Sequence, residues 1–278
     1  MTDKHCLNCE NEITAAQKFC PHCGQTTHVH RFTLTHFFHE VFHAFTHTDK
    51  GIFFLLKELF LRPGIVAKEY IAGKRKKYFN PFTFFLILAA LFVFSNGLIG
   101  SSSKNHAETI PEQITRISNP AQKEKALAQY NRAIKTREFS AKHGNVIAMI
   151  AVPFFAFFFW VIFYRRNYNY SEHLVANLMF VGFSNLAFTL IVFPLQATFK
   201  NTPWEGLMPT IGLILQVIYF AYAYKGFMQL KGFGASLKIF LLSLVGIILW
   251  VLITVFAFAF YVYQNDNFIE YFKHMGGR

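Results

Sequence analysis

Charged residues are scarce in this chain of 278 residues: Asp, Glu, Lys and Arg make up 15% of it, whereas 53% is hydrophobic and 18% aromatic. Soluble globular proteins average about 25% charged residues, because a folded surface in water needs many polar side chains. The composition therefore favours a protein whose solvent is the lipid bilayer. The aromatic content excludes an intrinsically disordered chain.

Cysteine is also scarce. The chain has four cysteines, which is too few for a disulfide-rich secreted protein, and all of them precede residue 24. Because the first 30 residues are polar, no apolar signal peptide is expected there. The first apolar stretch is therefore the predicted membrane-insertion signal.

Five stretches lack charged residues altogether and reach the roughly 20 residues that a transmembrane helix needs. They are 81–100, 145–164, 174–199, 206–224 and 239–263. We predict an all-α integral membrane protein with about five transmembrane helices in a membrane domain at 81–264. The long 101–144 connection is predicted as an extracytoplasmic loop that is helical around Glu124–Phe139, and 265–278 as a C-terminal tail.

The net charge of +12 is concentrated beside some of these stretches. Short cytoplasmic connections are enriched in Lys and Arg, so the N-terminus is predicted to be cytoplasmic and the C-terminus extracytoplasmic. The predicted extracytoplasmic loop at 101–144 also carries several Lys and Arg residues. However, it is long and contains both acidic and basic residues, and the rule is weaker for such loops. The cations that carry the prediction are Lys68, Lys74, Arg75, Lys76, Lys77, Arg165, Arg166, Lys225, Lys231 and Lys238.

The four cysteines form two Cys-x-x-Cys pairs, Cys6/Cys9 and Cys20/Cys23, ten residues apart. This spacing is typical of a zinc ribbon, in which four thiolates hold one Zn²⁺ tetrahedrally. Gly24 follows the second pair, whereas Glu10 stands at the matching position of the first. Two disulfides or a redox pair are the alternatives, but neither an oxidising compartment nor a βαβ pattern is indicated. Residues 1–30 are therefore predicted as a cytosolic zinc ribbon.

The ribbon offers few cations for nucleic acid, since Lys4 and Lys18 are opposed by Asp3, Glu10 and Glu12. Nucleic-acid binding needs a basic patch. A structural ribbon, or one that docks a cytosolic protein partner, is favoured instead.

A histidine-rich segment follows within 31–80, which is predicted as amphipathic interfacial helices and a basic segment. At about 100° per residue, the histidines share one helical face with Glu40, and aromatic residues occupy the opposite face. The four histidines are His36, His39, His43 and His47.

His39-Glu40-x-x-His43 matches the His-Glu-x-x-His zinc motif, with Glu40 as the candidate catalytic base. Glu172 and His173 open the third predicted span on the same side of the membrane and are candidates to complete a second divalent metal site. Three interpretations stay open: an interfacial helix facing water or headgroups, a non-catalytic metal or proton-sensing cluster, and a hydrolase.

A basic cluster precedes the first predicted span, at Lys74, Arg75, Lys76 and Lys77. Such clusters bind anionic lipid headgroups, so membrane lipid is a predicted partner. The alternative is that these cations act only as an orientation signal.

The ordered motifs resemble a family of bacterial multi-pass membrane proteins known only as a domain of unknown function. The resemblance covers about the first 95 residues and implies a bacterial inner-membrane protein with a cytosolic zinc ribbon, without implying a reaction. The matching motifs are Cys6-x-x-Cys9, Cys20-Pro-His-Cys23-Gly24-Gln25, the histidine-rich segment, Arg62-Pro-Gly64, and the Gly73-Lys-Arg-x-x-Tyr78-x-x-Pro81 segment. Glu10, where the first pair lacks its Gly, departs from the pattern.

Three functions are compatible with these features. The first is a non-enzymatic scaffold or a metal- or pH-sensing membrane protein. The second is a membrane-associated zinc metallohydrolase that uses residues 39–43. The third is a small-molecule permease, which the lack of charged residues within the apolar stretches disfavours.

Overall fold

The computed structural model describes residues 4–14, 16–28, 31, 33, 51–104, 112–199, 202–204 and 207–262. Within these ranges the chain is mostly helical, with a small two-stranded sheet near the N-terminus. The histidine-rich segment lies outside the described residues, and so does the predicted tail at 265–278. The candidate site residues that therefore lie outside the described ranges are His36, His39, Glu40, His43 and His47.

The strands are β1 (Lys4–His5) and β2 (Glu12–Ile13), paired antiparallel. The helices are α1 (Ile52–Leu61), α2 (Pro63–Ile71), α3 (Pro81–Lys104), α4 (Glu112–Thr115), α5 (Pro120–Ile162), α6 (Tyr170–Ala187), α7 (Phe193–Thr198), α8 (Met208–Phe227) and α9 (Phe233–Val262). A π-helical turn, Phe188–Val192, joins α6 to α7.

Three helical segments are long and apolar enough to cross a membrane: Tyr170–Thr198, Met208–Phe227 and Phe233–Phe260. They confirm the last three predicted spans as candidates. The prediction of five spans is not supported, because the described apolar parts of α3 and α5 are shorter, at Pro81–Ser95 and Met149–Ile162. Even 17 residues of helix extend only about 26 Å, which is less than the roughly 30 Å hydrocarbon core.

The 101–144 region is largely helical. Residues 120–144 belong to α5, a 43-residue helix that runs without a break into the predicted second span. Asn119 caps its first turn by accepting hydrogen bonds from the amides of Ala121 and Gln122 at 3.0 and 3.4 Å. Pro120 occupies the first helical position, where its missing amide hydrogen is not needed.

Helix α6 lies at the centre of the helical core and packs against α3, α5 and α2. Its side chains at Ala176, Met179 and Phe180 are completely buried. By contrast, the long apolar helix α9 exposes rows of Leu, Ile and Val on its outer surface. An apolar outer surface is what a helix facing hydrocarbon requires.

Helices α1 and α2 fall in the segment predicted as interfacial, and one face of each is built into the core. Leu55, Leu59, Val66 and Ala67 are fully buried, and α2 packs against both α6 and α8. The backbones of α2 and α8 approach so closely at Gly64 that a side-chain carbon there would overlap backbone atoms of α8. Small residues at a crossing allow this approach in membrane proteins.

Candidate metal centre

The four cysteines converge at the N-terminus, as their spacing predicts. Their Sγ atoms all lie within 4.8 Å of one another, with Cys6 and Cys23 3.6 Å apart and Cys9 and Cys20 also 3.6 Å apart. A Zn–S distance near 2.3 Å places tetrahedral thiolates about 3.8 Å apart. The sulfur atoms are therefore arranged to hold one metal ion, and none of them is joined in a disulfide.

Two similar backbone turns place these sulfur atoms. In the first, the Glu10 amide donates to the Cys6 carbonyl at 2.9 Å; in the second, the Gly24 amide donates to the Cys20 carbonyl, also at 2.9 Å. The apolar interior around them is very small, since Cys6, Ile13 and Cys20 are its buried residues. The ribbon therefore has little hydrophobic burial to stabilise it without metal.

The backbone conformation of both turns is left-handed at the residue after the Cys pair. Gly24 has a φ of 70° and Glu10 has a φ of 64°. The absence of Gly after the first pair therefore leaves the turn geometry unchanged, but it places a side chain in a conformation that is unfavourable by about 1–2 kcal/mol.

Replacing Glu10 by Gly is expected to stabilise the ribbon by about 1 kcal/mol, because Gly adopts φ > 0 without strain. Gly24→Ala is expected to destabilise it by a similar amount. No atom lies within 4 Å of a Cβ at Gly24, so the backbone conformation alone accounts for that loss. Chelator competition on the full-length protein measures both effects, and equal affinities for the two variants would contradict the turn geometry.

The thiol of Cys20, in the second turn, is prepared for ionisation. Backbone hydrogen bonds from Cys23 and His22 lower the pKa of the Cys20 thiol to about 6, although burial opposes the shift. Thiolate is the form that binds metal. A set of four thiolates is the donor type of structural zinc and of iron–sulfur sites.

The N-terminal part of the chain contacts the rest of the structure at two points that the sequence analysis did not identify, one from the ribbon and one just after it. The backbone amide of Lys76 donates to Oε1 of Gln25 at 3.0 Å, and Gln25 is buried. Beyond the ribbon, Arg31 donates to both carboxylate oxygens of Glu172 at 2.7 and 2.9 Å. Arg31 also hydrogen-bonds the carbonyl of Asn167. The first contact joins the ribbon to the connection between α2 and α3, and the second joins the segment after the ribbon to the start of α6.

Glu172, predicted as a ligand of a second metal, has its carboxylate engaged in protein contacts. Besides pairing with Arg31, its Oε2 accepts a hydrogen bond from the Asn169 amide at 2.7 Å. The Asn169 side chain accepts from the Glu172 amide at 2.9 Å, completing a capping box at the start of α6. Asn three residues before Glu is the sequence signature of this cap and is the local signal for this role.

His173, the other predicted ligand beside α6, is completely buried. Its ring stacks near Tyr224 and meets Phe227 edge-on, with centroid distances of 6.0 and 5.6 Å. Within the described part of the chain, neither ring nitrogen has a hydrogen-bond partner. About one helical turn further along α6, the side-chain amide of Asn177 donates to the hydroxyl of Tyr224 at 2.5 Å.

The predicted second metal site stays a prediction, because Glu40 and the four histidines lie outside the described residues. Among the described residues, the cysteine cluster is the group of His, Cys, Asp and Glu side chains close enough to hold a metal ion.

In the basic cluster, Lys74 and Lys77 are paired with a carboxylate within the protein. Lys77 lies 2.7 Å and Lys74 3.8 Å from the carboxylate of Glu69, and the Tyr78 hydroxyl donates to it at 2.5 Å. Burial raises the pKa of Glu69, but the hydrogen bonds from Lys77 and Tyr78 outweigh it and hold that pKa below its usual value. Binding of lipid headgroups by this cluster stays a prediction.

Comparison with known proteins adds a family description for part of the chain. Residues 49–93 match the model of a family described as "Protein of unknown function (DUF3667)". This match supports the expected domain of unknown function, whereas the bacterial, multi-pass character of the resemblance stays a prediction. No curated protein matches the chain significantly, and no solved structure does so either.

Proposed function

We propose that the protein is a non-enzymatic membrane scaffold whose N-terminal ribbon binds zinc and that the metal holds the ribbon against the helical core. The observation that carries the proposal is the position of Gln25. It follows Cys23 by two residues, its backbone closes the second metal-binding turn by accepting from the Cys20 amide at 2.8 Å, and its side chain accepts from Lys76.

Zinc is favoured over other metals by the ligands and by the predicted compartment. Two Cys-x-x-Cys pairs in so short a ribbon are typical of structural zinc. The cytosol keeps thiols reduced, which agrees with the free cysteines. With the metal bound, the exposed surface of the ribbon is displayed at the membrane, where a cytosolic protein partner can dock.

The proposed orientation is supported by which groups lie together at one end of the helices. Arg31 reaches the connection before α6 that carries Arg165 and Arg166. Gly64 of α2 meets the end of α8 near Lys225. The ribbon and these cations share one end, and cations beside short connections indicate the cytoplasmic side. A bacterial inner membrane with the N-terminus inside is the location we propose.

A hydrolase that uses Glu172 has less support, because Arg31 and the cap of α6 already engage that carboxylate. The ion pair between Arg31 and Glu172 also provides a test of the proposed link between docking and metal binding. If docking and metal binding are linked, a substitution that weakens docking also weakens metal binding.

Glu172→Gln is expected to lower the zinc affinity of the full-length protein although it lies far from the cysteines in sequence. Gln preserves the capping box but loses the charged pair with Arg31. Arg31 is 59% exposed, so solvent screening limits the pair to about 1 kcal/mol, which is about fivefold in affinity. Zinc affinity is measured by competition with a chromogenic chelator.

Glu58→Gln is the matched control. It removes the carboxylate of another described ion pair, the one with Arg62, which makes no contact with the ribbon. An affinity that falls equally in both variants, or in neither, would contradict the link between docking and metal binding. Loss of zinc-dependent activity toward a peptide or ester substrate in a Glu40→Gln variant that retains its metal would contradict the non-enzymatic assignment.

A further inference from the structure

A second feature lies at the end of α5, away from the cysteine cluster. A cavity of about 190 Å³ opens between this end of α5 and the first turns of α9. Three of its lining residues are cationic: Arg165, Arg166 and Lys238. The remaining lining residues are mostly apolar: Ile162, Phe163, Leu230, Ala235, Ile239 and Leu242.

Among the described residues, these three cations have no carboxylate partner. The described ion pairs join Arg31 to Glu172, Arg62 to Glu58, and Lys74 and Lys77 to Glu69. Arg165 instead contacts a neutral ring: its Nε donates to the hydroxyl of Tyr164 at 2.9 Å, and its guanidinium lies 5.5 Å from that ring's centroid. The cavity therefore concentrates positive charge that the described residues do not neutralise.

The position of α9 adds to this charge. The helix begins at Phe233, so the first-turn amides, which lack intrahelical acceptors, lie at the same end as Lys238. A helix N-terminus favours anions, and backbone amides there bind phosphate. The helix end therefore adds positive potential beside the cationic side chains.

The outer side of the cavity continues into an apolar surface. Leu237 and Leu241 of α9 are about half exposed, and they follow one another along the outer face of a candidate transmembrane helix. A ligand with a negative headgroup and a hydrocarbon chain fits both halves of this surface: the headgroup fits the cations, and the chain fits the row of leucines.

We propose that this cavity binds the phosphate of an anionic phospholipid, with an acyl chain lying along α9. Arg165 and Arg166 contribute the guanidinium groups that match phosphate oxygens in bidentate geometry. Lys238 closes the opposite side as a point charge. Basic pockets between membrane helices on the cytoplasmic side recognise lipid headgroups in this way.

The test uses the full-length protein in a neutral detergent, with bound lipid counted by native mass spectrometry during titration with dioleoylphosphatidylglycerol. One tightly retained lipid is expected for the unchanged protein. The variant with Arg165→Gln, Arg166→Gln and Lys238→Gln is expected to bind it at least tenfold more weakly. The control variant with Lys57→Gln, Lys68→Gln and Lys225→Gln loses the same charge outside the cavity and is expected to bind normally.

Two further arms identify the source of the phosphate. Dioleoylphosphatidylcholine, which has the same chains without net charge, is expected to bind at least tenfold more weakly, and glycerol phosphate alone is expected to bind weakly at millimolar concentration. Equal retention of both lipids would overturn the proposal in favour of a general apolar contact. Tight binding of glycerol phosphate would overturn it in favour of a soluble phosphate ligand.

A variant that fills the cavity guards against a folding defect in the triple variant. Ala235→Trp retains all three cations and is expected to reduce phosphatidylglycerol retention at least tenfold, because the bulky ring occupies the space for the headgroup. Retention at the level of the unchanged protein in both this variant and the triple variant would overturn the proposal.

Discussion

Removing the metal from the full-length protein is expected to unfold residues 4–28 while the helical core stays folded. The buried interior of the ribbon consists of Cys6, Ile13 and Cys20, which is too small to offset the conformational entropy of folding. Metal binding supplies about 10–16 kcal/mol in structural zinc sites. Cys20→Ser is expected to have the same effect, with metal content falling from one ion per chain to none.

Limited proteolysis with mass spectrometry measures this effect. In the chelated protein and in Cys20→Ser, cleavage within the ribbon is expected to be fast, and the fragment beginning near residue 51 is expected to persist. Leu7→Ala is the matched control, since Leu7 lies between the first pair of cysteines but is half exposed. A ribbon that resists cleavage equally with and without metal would contradict the prediction.

Gly64→Ala is expected to disrupt the crossing of α2 and α8, with a loss of at least about 3 kcal/mol of stability. Overpacking costs about 1–3 kcal/mol where side chains can adjust, but here the new methyl would overlap backbone atoms of Ala223, Gly226 and Phe227. Backbone on a packed helix cannot move aside without displacing the helix. The apparent melting temperature in detergent measures the loss.

Two other glycines provide comparison variants for which smaller losses of stability are expected. A Cβ at Gly226 would lie 3.3 Å from the Gly64 Cα, so Gly226→Ala is expected to destabilise the protein less. A Cβ at Gly234 in α9 meets no atom within 4 Å, and Gly234→Ala is expected to be neutral or stabilising by up to about 1 kcal/mol. A Gly64→Ala variant as stable as Gly234→Ala would contradict the close crossing.

Local sequence patterns predicted the elements that depend on neighbouring residues. The spacing of Cys6, Cys9, Cys20 and Cys23 predicted the cluster, because each pair needs only a short turn. Uncharged stretches located the apolar helices, and among the described residues three of the five are long and apolar enough to be candidate spans. The mixed-charge 101–144 connection was expected to be helical around Glu124–Phe139, and the helix there begins at Pro120 and continues into an apolar segment.

The contacts that connect the ribbon to the core depend on residues distant in sequence. Gln25 and Lys76 are 51 residues apart, and Arg31 and Glu172 are 141 apart. No periodicity or motif indicates such pairs. Glu172 carries two sequence signals: beside His173 it resembles a metal ligand, and Asn169 three residues earlier marks it as part of a helix cap.

Hydrogen–deuterium exchange of the full-length protein in nanodiscs, with zinc and after chelation, tests most directly whether metal holds the ribbon on the core. The Lys76 amide donates to Gln25, so its exchange is predicted to accelerate at least tenfold when zinc is removed. The Glu172 amide, which donates to Asn169 within the helix cap, is predicted to keep its exchange rate. If the amides of the ribbon itself lose their protection after chelation and the Lys76 amide keeps its own, the account is contradicted.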